Sequence, residues 1–320
     1  MDTMPQTNRF PSGAQWRIRA ADQEAVVVEV GGGLREYRVA GESIVDGYGP
    51  DELCPASAGQ VLAPWPNRVR DGRYTFAGAT YQLALTEPAR HNAAHGLVAW
   101  VRWTCVDSTA SSATLECDLP AQPGYPWPLL LRTVWTVGEH GLVAAHSVTN
   151  LSAEPAPFGL GAHPYLRLAG TGVDDLVLHL PARSRLLSDS RLLPIGAAKV
   201  TGTEYDFTQP RRIGATVLDD AFGEVERGPD GRCAVRLGTA DGGRAVEVWA
   251  DSAFRWWQVF TADTLPGARR RRSVAIEPMT CPPDALRSGR DVVVLGPGDT
   301  WHGSWGIRPT RKVGHGDGVS

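Results

Sequence analysis

The chain has 320 residues, 42% of them apolar and 21% charged, the balance of a soluble globular protein with a large core rather than a disordered chain. Its 32 Lys and Arg stand against 35 Asp and Glu, a net charge of −3. That leaves no electrostatic footprint for nucleic acid or an anionic membrane, and no apolar run is long enough to span a bilayer.

The first 14 residues are mostly polar, carry Pro5 and Pro11, lack the apolar core of a secretory signal and are expected to be flexible. From there the chain reads as short β-branched and aromatic runs broken by Gly, Pro, Asp and Asn. They fall at 25–30, 74–76, 81–85, 113–119, 131–137, 142–148, 176–180, 245–249, 257–260 and 273–276. Several alternate with period two, as where Glu247 lies between Val246 and Val248. Asp71-Gly72 and Ala77-Gly78-Ala79 bracket one run, which predicts a strand turning into a hairpin. No helical apolar stripe persists, and 24 prolines argue against many long helices. The prediction is an all-β chain, a large antiparallel β-sandwich. It is taken as one domain over 15–310, followed by a flexible, Gly-rich tail at 311–320.

Several signatures fail in context. Gly31-Gly32-Gly33 follows a strand but completes no dinucleotide fingerprint, so it reads as a turn. Gly159-Leu160-Gly161 has Pro164 where the third glycine of that fingerprint would stand, and neither a Walker loop nor a GxSxG elbow occurs. His91 and His95 have the spacing of a helical metal pair, yet the segment lacks the Glu of HExxH and reads as a loop, so no metal is assigned. Arg269 to Arg272 reads as a solvated loop after Pro266-Gly267, with phosphate binding as the sharper alternative. Five scattered cysteines without a CxxC pair suggest free thiols in a cytoplasmic protein. The eleven tryptophans read mainly as core, with a few available to cover the C–H face of a pyranose.

Four segments place polar catalytic types in apolar, turn-rich surroundings: Pro64-Trp65-Pro66-Asn67-Arg68, Ala94-His95-Gly96-Leu97, Gly161-Ala162-His163-Pro164-Tyr165 and Ile276-Glu277-Pro278-Met279-Thr280. Together with Leu218-Asp219-Asp220-Ala221-Phe222 and Pro283-Asp284-Ala285, and in this order, they resemble the aldose 1-epimerase (galactose mutarotase-like) family. The resemblance runs from the Gly31 region to Trp305 and implies a large antiparallel β-sandwich, in agreement with the strand pattern. One departure is Leu97, where many mutarotases carry a second glycine after His-Gly.

The resemblance implies interconversion of α and β anomers of a free aldose. Opening a pyranose removes the O1 proton and protonates the ring oxygen O5, work for a carboxylate and an imidazole. By resemblance Glu277 is the base and His163 the acid, placed on opposite sides of the acetal carbon. Asn67, Arg68, His95, Tyr165, Asp219 and Gln258 bind the sugar. Asp220 competes with Asp219, and Gln258 reads nearly as well as a buried strand amide with backbone partners. Arg68 has a core ion pair as its structural alternative. The reaction has no net redox or proton change, so no cofactor is expected. A hexose-6-phosphate 1-epimerase, with Arg70 or Arg269 to Arg272 on the phosphate, and a non-catalytic carbohydrate-binding sandwich are the competing functions. An ordinary Glu near pH 4.3 and His near 6.5 would leave the base ionised at neutral pH.

Overall fold

Each of the ten runs picked out from the sequence overlaps a strand in the computed structural model, which describes residues 10–311. Residues 1–9 and 312–320, where most of the two expected flexible ends fall, lie outside the described residues. Residues 10–14 form a turn in which the Gly13 N–H donates to Phe10 O at 2.9 Å. Among the described residues every strand pairing is antiparallel, and no helix is long and apolar enough to cross a membrane. The predicted hairpin is Arg73–Phe76 paired with Ala79–Gln82. Ala77 and Gly78 both take positive φ at its two-residue turn, the geometry that matches strand twist.

Two large sheets carry the architecture. The nine-stranded sheet runs in the order Thr104–Ser108, Ser112–Leu119, Leu129–Gly138, Gly141–Asn150, Thr300–Arg311, Arg244–Ala250, Cys233–Gly238, Val177–His179 and Arg211–Arg212. The eight-stranded sheet runs Pro194–Lys199, Ala182–Ser188, Asp219–Val225, Trp256–Phe260, Val274–Met279, Gly161–Ala162 and Val61–Leu62, with Tyr165–Leu166 also paired to Val274–Met279. A four-stranded sheet, Gln15–Ala20, Gln23–Val28, Leu34–Val39 and Glu42–Ser43, completes the larger layers.

One continuous apolar cluster joins the sheets, with Leu131 and Trp135 from the first, Trp257, Val259 and Ile276 from the second and Val27 from the third. Gly31 and Gly32 make the expected turn in positive φ. A Cβ on Gly32 would lie 2.5 Å from the buried Trp103 ring, so glycine is required there.

The two large sheets use their faces differently. Leu129–Gly138 buries alternate residues, the pattern of a sheet with one covered face. Val274–Met279 is buried at every position, so both its faces are covered. Val274 and Ile276 point to the core, which by period two turns Ala275, Glu277 and Met279 to the opposite face. That opposite face holds the cavity.

Candidate active site

Strand register brings the polar residues together. Gln258 pairs with Glu277 and with Ala221, while Asp219, two residues from Ala221, lies on the same face and diagonal to Gln258. On the other flank Gly161 pairs with Met279 and Tyr165 with Ala275. The register is unchanged across the intervening residues, which sets His163 opposite Glu277.

A second group enters over the top of this face. Arg68–Arg70 pairs with Asn92–Ala94, and the His95 N–H donates to Asn67 O at 2.8 Å. Asn67 and His95 both sit in left-handed backbone, at φ 55° and 62°, a region that Asn and His enter more readily than most residues. Gly96 follows at φ 76°, and a Cβ there would meet Ala63 O at 2.0 Å. Leu97 keeps negative φ and donates its N–H to the same oxygen at 2.7 Å, so its position makes no demand for glycine.

The eight residues expected from the sequence (Asn67, Arg68, His95, His163, Tyr165, Asp219, Gln258 and Glu277) all line one cavity of about 350 Å³, within the usual range for small-molecule sites. His163 Nε2 lies 3.3 Å from Glu277 Oε1. The expected acid and base therefore stand side by side rather than facing each other across a gap. The difference follows from the register, which makes them cross-strand neighbours. The Tyr165 ring stacks on His163 with centroids 4.9 Å apart, and its hydroxyl donates to Ala56 O at 3.3 Å. The His95 ring meets His163 edge-on at 5.6 Å.

Four buried polar atoms of these residues have no protein partner: Glu277 Oε2, His163 Nδ1, His95 Nδ1 and Gln258 Oε1. Leaving such a group unpaired costs about 1–3 kcal/mol, and all four belong to residues that line the one cavity. Gln258 Nε2 donates to Asp219 Oδ1 at 2.7 Å, so the strand-amide reading is met by a partner that itself lines the cavity.

Burial governs the electrostatics. It pushes the Glu277 carboxyl well above the ordinary carboxylate range, with Asp219 adding to the rise and Arg68 opposing it. Burial likewise holds the His163 imidazole well below its ordinary value, reinforced by His95 and Arg68. Against the ionised Glu277 expected from the ordinary carboxyl value, desolvation favours the neutral form of both partners. His95 is lowered to about 4 by burial first and by Arg68 second, so at neutral pH its ring offers one donor and one acceptor. Asp219 is raised by burial, against the pull of Arg68.

Arg68 is held by a residue that the sequence did not single out. Its Nε and Nη2 donate to Glu87 Oε2 and Oε1 at 2.9 and 3.1 Å. The cavity wall and the ion pair are thus both properties of Arg68, and its Nη1 donates to Asn67 Oδ1 at 3.4 Å with a second N–H to spare. Glu87 sits in a polar loop, Thr86-Glu87-Pro88, where no motif or periodicity marks it.

Other sequence candidates lie elsewhere. Asp220 points away from Asp219 by strand alternation and pairs with Arg185 at 2.6 Å, and of the two only Asp219 lines the cavity. The His91 side chain is 71% exposed beside Asp71, whereas His95 is in the cavity, so the two imidazoles do not converge. Arg269 pairs with Glu52, Arg271 with Asp174 and Asp263, and Arg272 with Asp46. Arg70 faces Asp189 and Asp284. None of these arginines lines the cavity.

Comparison with known proteins agrees with this architecture. The family model for aldose 1-epimerase matches residues 15–308. The chain is 34% identical to the uncharacterised protein YihR of Escherichia coli K12, over 96% of each chain. It is 27% identical to the galactose mutarotase of Rattus norvegicus, over 77% of each. In three dimensions it superposes on the GalM/aldose epimerase homologue from C. elegans with a TM-score of 0.82 at 18% identity, covering 93% of this chain and 99% of that one. The fold, the ordered site segments and the near full-length match place this chain in the aldose 1-epimerase family.

Proposed function

We propose that this protein is a cofactor-independent aldose 1-epimerase that interconverts the α and β anomers of a free hexose, with Glu277 and His163 moving the protons. The observation that carries the reading is the buried pair itself. A carboxyl group and an imidazole lie 3.3 Å apart in a cavity, each with a second polar atom that no protein group satisfies.

O1 and O5 are bonded to the same acetal carbon, so two adjacent side chains can serve both. Glu277 takes the O1 proton as His163 gives one to O5, the C1–O5 bond breaks, and the aldehyde forms. Rotation about C1–C2 presents the other carbonyl face. Attack by O5, with both transfers reversed, closes the ring as the other anomer and restores the side chains. The neutral pair and the carboxylate–imidazolium pair hold the same protons, so one transfer within the pair converts the resting form into the acting one. The positive field of Arg68 lowers Glu277 toward its carboxylate. Gaining a proton removes the base and losing one removes the acid, so kcat/KM should be bell-shaped in pH.

Arg68, Asn67, His95, Asp219 and Gln258 hold the hydroxyls, and Tyr165 backs the His163 ring. The two arginines that line the cavity, Arg68 and Arg90, both donate to Glu87. Glu87 offsets one of their two positive charges, and the acids Asp219 and Glu277 share the cavity with them, which favours a free sugar over a sugar phosphate. Binding alone would not require the unsatisfied acid–base pair.

The test is polarimetry on freshly dissolved α-anomers of a panel of hexoses and their 6-phosphates. Accelerated relaxation of at least one free hexose, unaffected by added sugar phosphate, is expected. Activity confined to the phosphates would overturn the free-sugar assignment, and no activity on any of them would overturn the reaction.

A further inference from the structure

We infer that Glu87 is a positioning residue for the sugar site, acting through Arg68 by holding its guanidinium in a fixed fork at the cavity wall. The inference rests on the mutarotase reading for its substrate but on separate residues for its geometry.

Glu87 accepts four hydrogen bonds. Oε2 receives Arg68 Nε at 2.9 Å and Asn92 Nδ2 at 3.0 Å, and Oε1 receives Arg68 Nη2 at 3.1 Å and Arg90 Nη1 at 2.8 Å. A bidentate guanidinium–carboxylate pair fixes a plane as well as a distance, which a single contact does not. Burial alone would raise Glu87, yet the Arg68 fork overrides it and holds the carboxyl down at about 2, so it stays ionised wherever the enzyme is folded.

The support behind Glu87 is itself tied down. Asn92 also donates to Arg191 O at 3.0 Å, and the Arg191 guanidinium reaches Arg90 O and His91 O, each at 2.8 Å. Arg191 comes from the turn between Ala182–Ser188 and Pro194–Lys199, so a distant hairpin braces the Glu87 loop. Its neighbour Leu192 lines the cavity. A free Arg68 would lose side-chain entropy each time it bound a hydroxyl, whereas a clamped one presents Nη1 already placed.

Glu87 also carries the charge that offsets Arg68. Arg68 depresses both His163 and Glu277, so removing the Glu87 charge leaves that field unopposed. Both limbs of the pH profile should then move to lower pH. A residue that only supported the fold would leave them in place.

The experiment is a double-mutant cycle on the full chain. It reads the affinity for a 1,5-anhydrohexose, which lacks O1 and cannot react, and in parallel the pH profile of mutarotation. Glu87→Gln should weaken binding about tenfold, the scale of a lost charge-assisted contact, and shift the profile toward acid. In an Arg68→Ala background the same change should cost less than about twofold, because coupled residues are non-additive. Glu87→Asp, which keeps the charge but withdraws it, should weaken binding without moving the profile, and it carries the test if Glu87→Gln does not fold. Equal losses with and without Arg68, or unchanged binding in folded Glu87 variants, would overturn the inference. A coupled loss of binding in a protein that does not mutarotate would uphold it and overturn the reaction instead.

Discussion

Two buried histidines, one in a strand of the nine-stranded sheet and one between two short strands of the eight-stranded sheet, contrast a packed core with the proposed site. His146 lies in the nine-stranded sheet with both ring nitrogens engaged: Nδ1 is 2.8 Å from Thr133 Oγ1, and Nε2 accepts from Trp305 Nε1 at 3.0 Å. The acceptor role of Nε2 puts the proton on Nδ1. His163 is about equally buried, yet its Nδ1 has no partner and its Nε2 faces a carboxyl group. Burial depresses both imidazoles, so neither burial nor titration tells them apart. The unpartnered Nδ1 of a cavity-lining residue does, and it is what supports the role proposed for His163.

The sharpest way to break this contrast is to remove each ring. His163→Ala should lower kcat by at least ~10²-fold, the typical contribution of a positioned acid, with a small change in melting temperature. His146→Ala should do the reverse. It leaves Thr133 and Trp305 without their partner and opens a core cavity, costing about 3 kcal/mol of stability, while kcat per folded molecule stays near wild type. The acid limb gives an independent check. His146 is lowered from 6.5 to about 3 by burial, so the unfolded chain binds a proton that the folded chain refuses. Its contribution is complete above the unfolded value and is lost as pH falls from about 6.5 toward 3. His146→Ala should therefore flatten the dependence of melting temperature on pH in that window. A steep fall in activity with His146→Ala, at unchanged stability, would dissolve the contrast.

Much of the contrast was legible in the sequence. The strand runs, the hairpin and the Gly31-Gly32 turn follow from local rules of period and φ, and the eight expected residues, six of them from the four segments, line one cavity. What escaped depends on register and on loops. Asp219 and Asp220 are adjacent in a strand covered on both faces, so apolar alternation could not say which one faces the cavity. The side-by-side arrangement of His163 and Glu277 is fixed by the partners of Gly161 and Tyr165, which no local pattern contains. Glu87 reaches Arg68 across 19 residues from a loop without a motif. The run at Arg269 to Arg272, a solvated loop by its sequence, begins at the end of a short turn at Gly267–Arg269. Three of its four arginines, however, are tied to acids from distant segments.

A smaller effect sharpens the comparison at the level of adjacent residues. Asp219→Asn should raise KM by roughly tenfold with less change in kcat, because contacts made equally to ring and open-chain sugar contribute uniform binding. It should also change the preference among sugars epimeric at the hydroxyl contacted. Asp220→Asn, one residue away on the opposite strand face, should leave KM within about twofold and act through the Arg185 pair on stability. Steady-state kinetics and thermal melts on both variants separate the two outcomes, and equal KM effects would mean that strand parity does not decide the contact.

The central claim is that Glu277 and His163 move the protons of ring opening, and Glu277→Gln tests it most directly. The amide keeps the size and the hydrogen-bonding shape of the side chain but cannot accept and hold the O1 proton. Its rate of α-to-β conversion, followed by polarimetry on the sugar that the wild type converts fastest, should fall by at least ~10²-fold, with affinity for the 1,5-anhydro analogue little changed. A folded Glu277→Gln protein that still mutarotates at a rate near wild type would contradict the account.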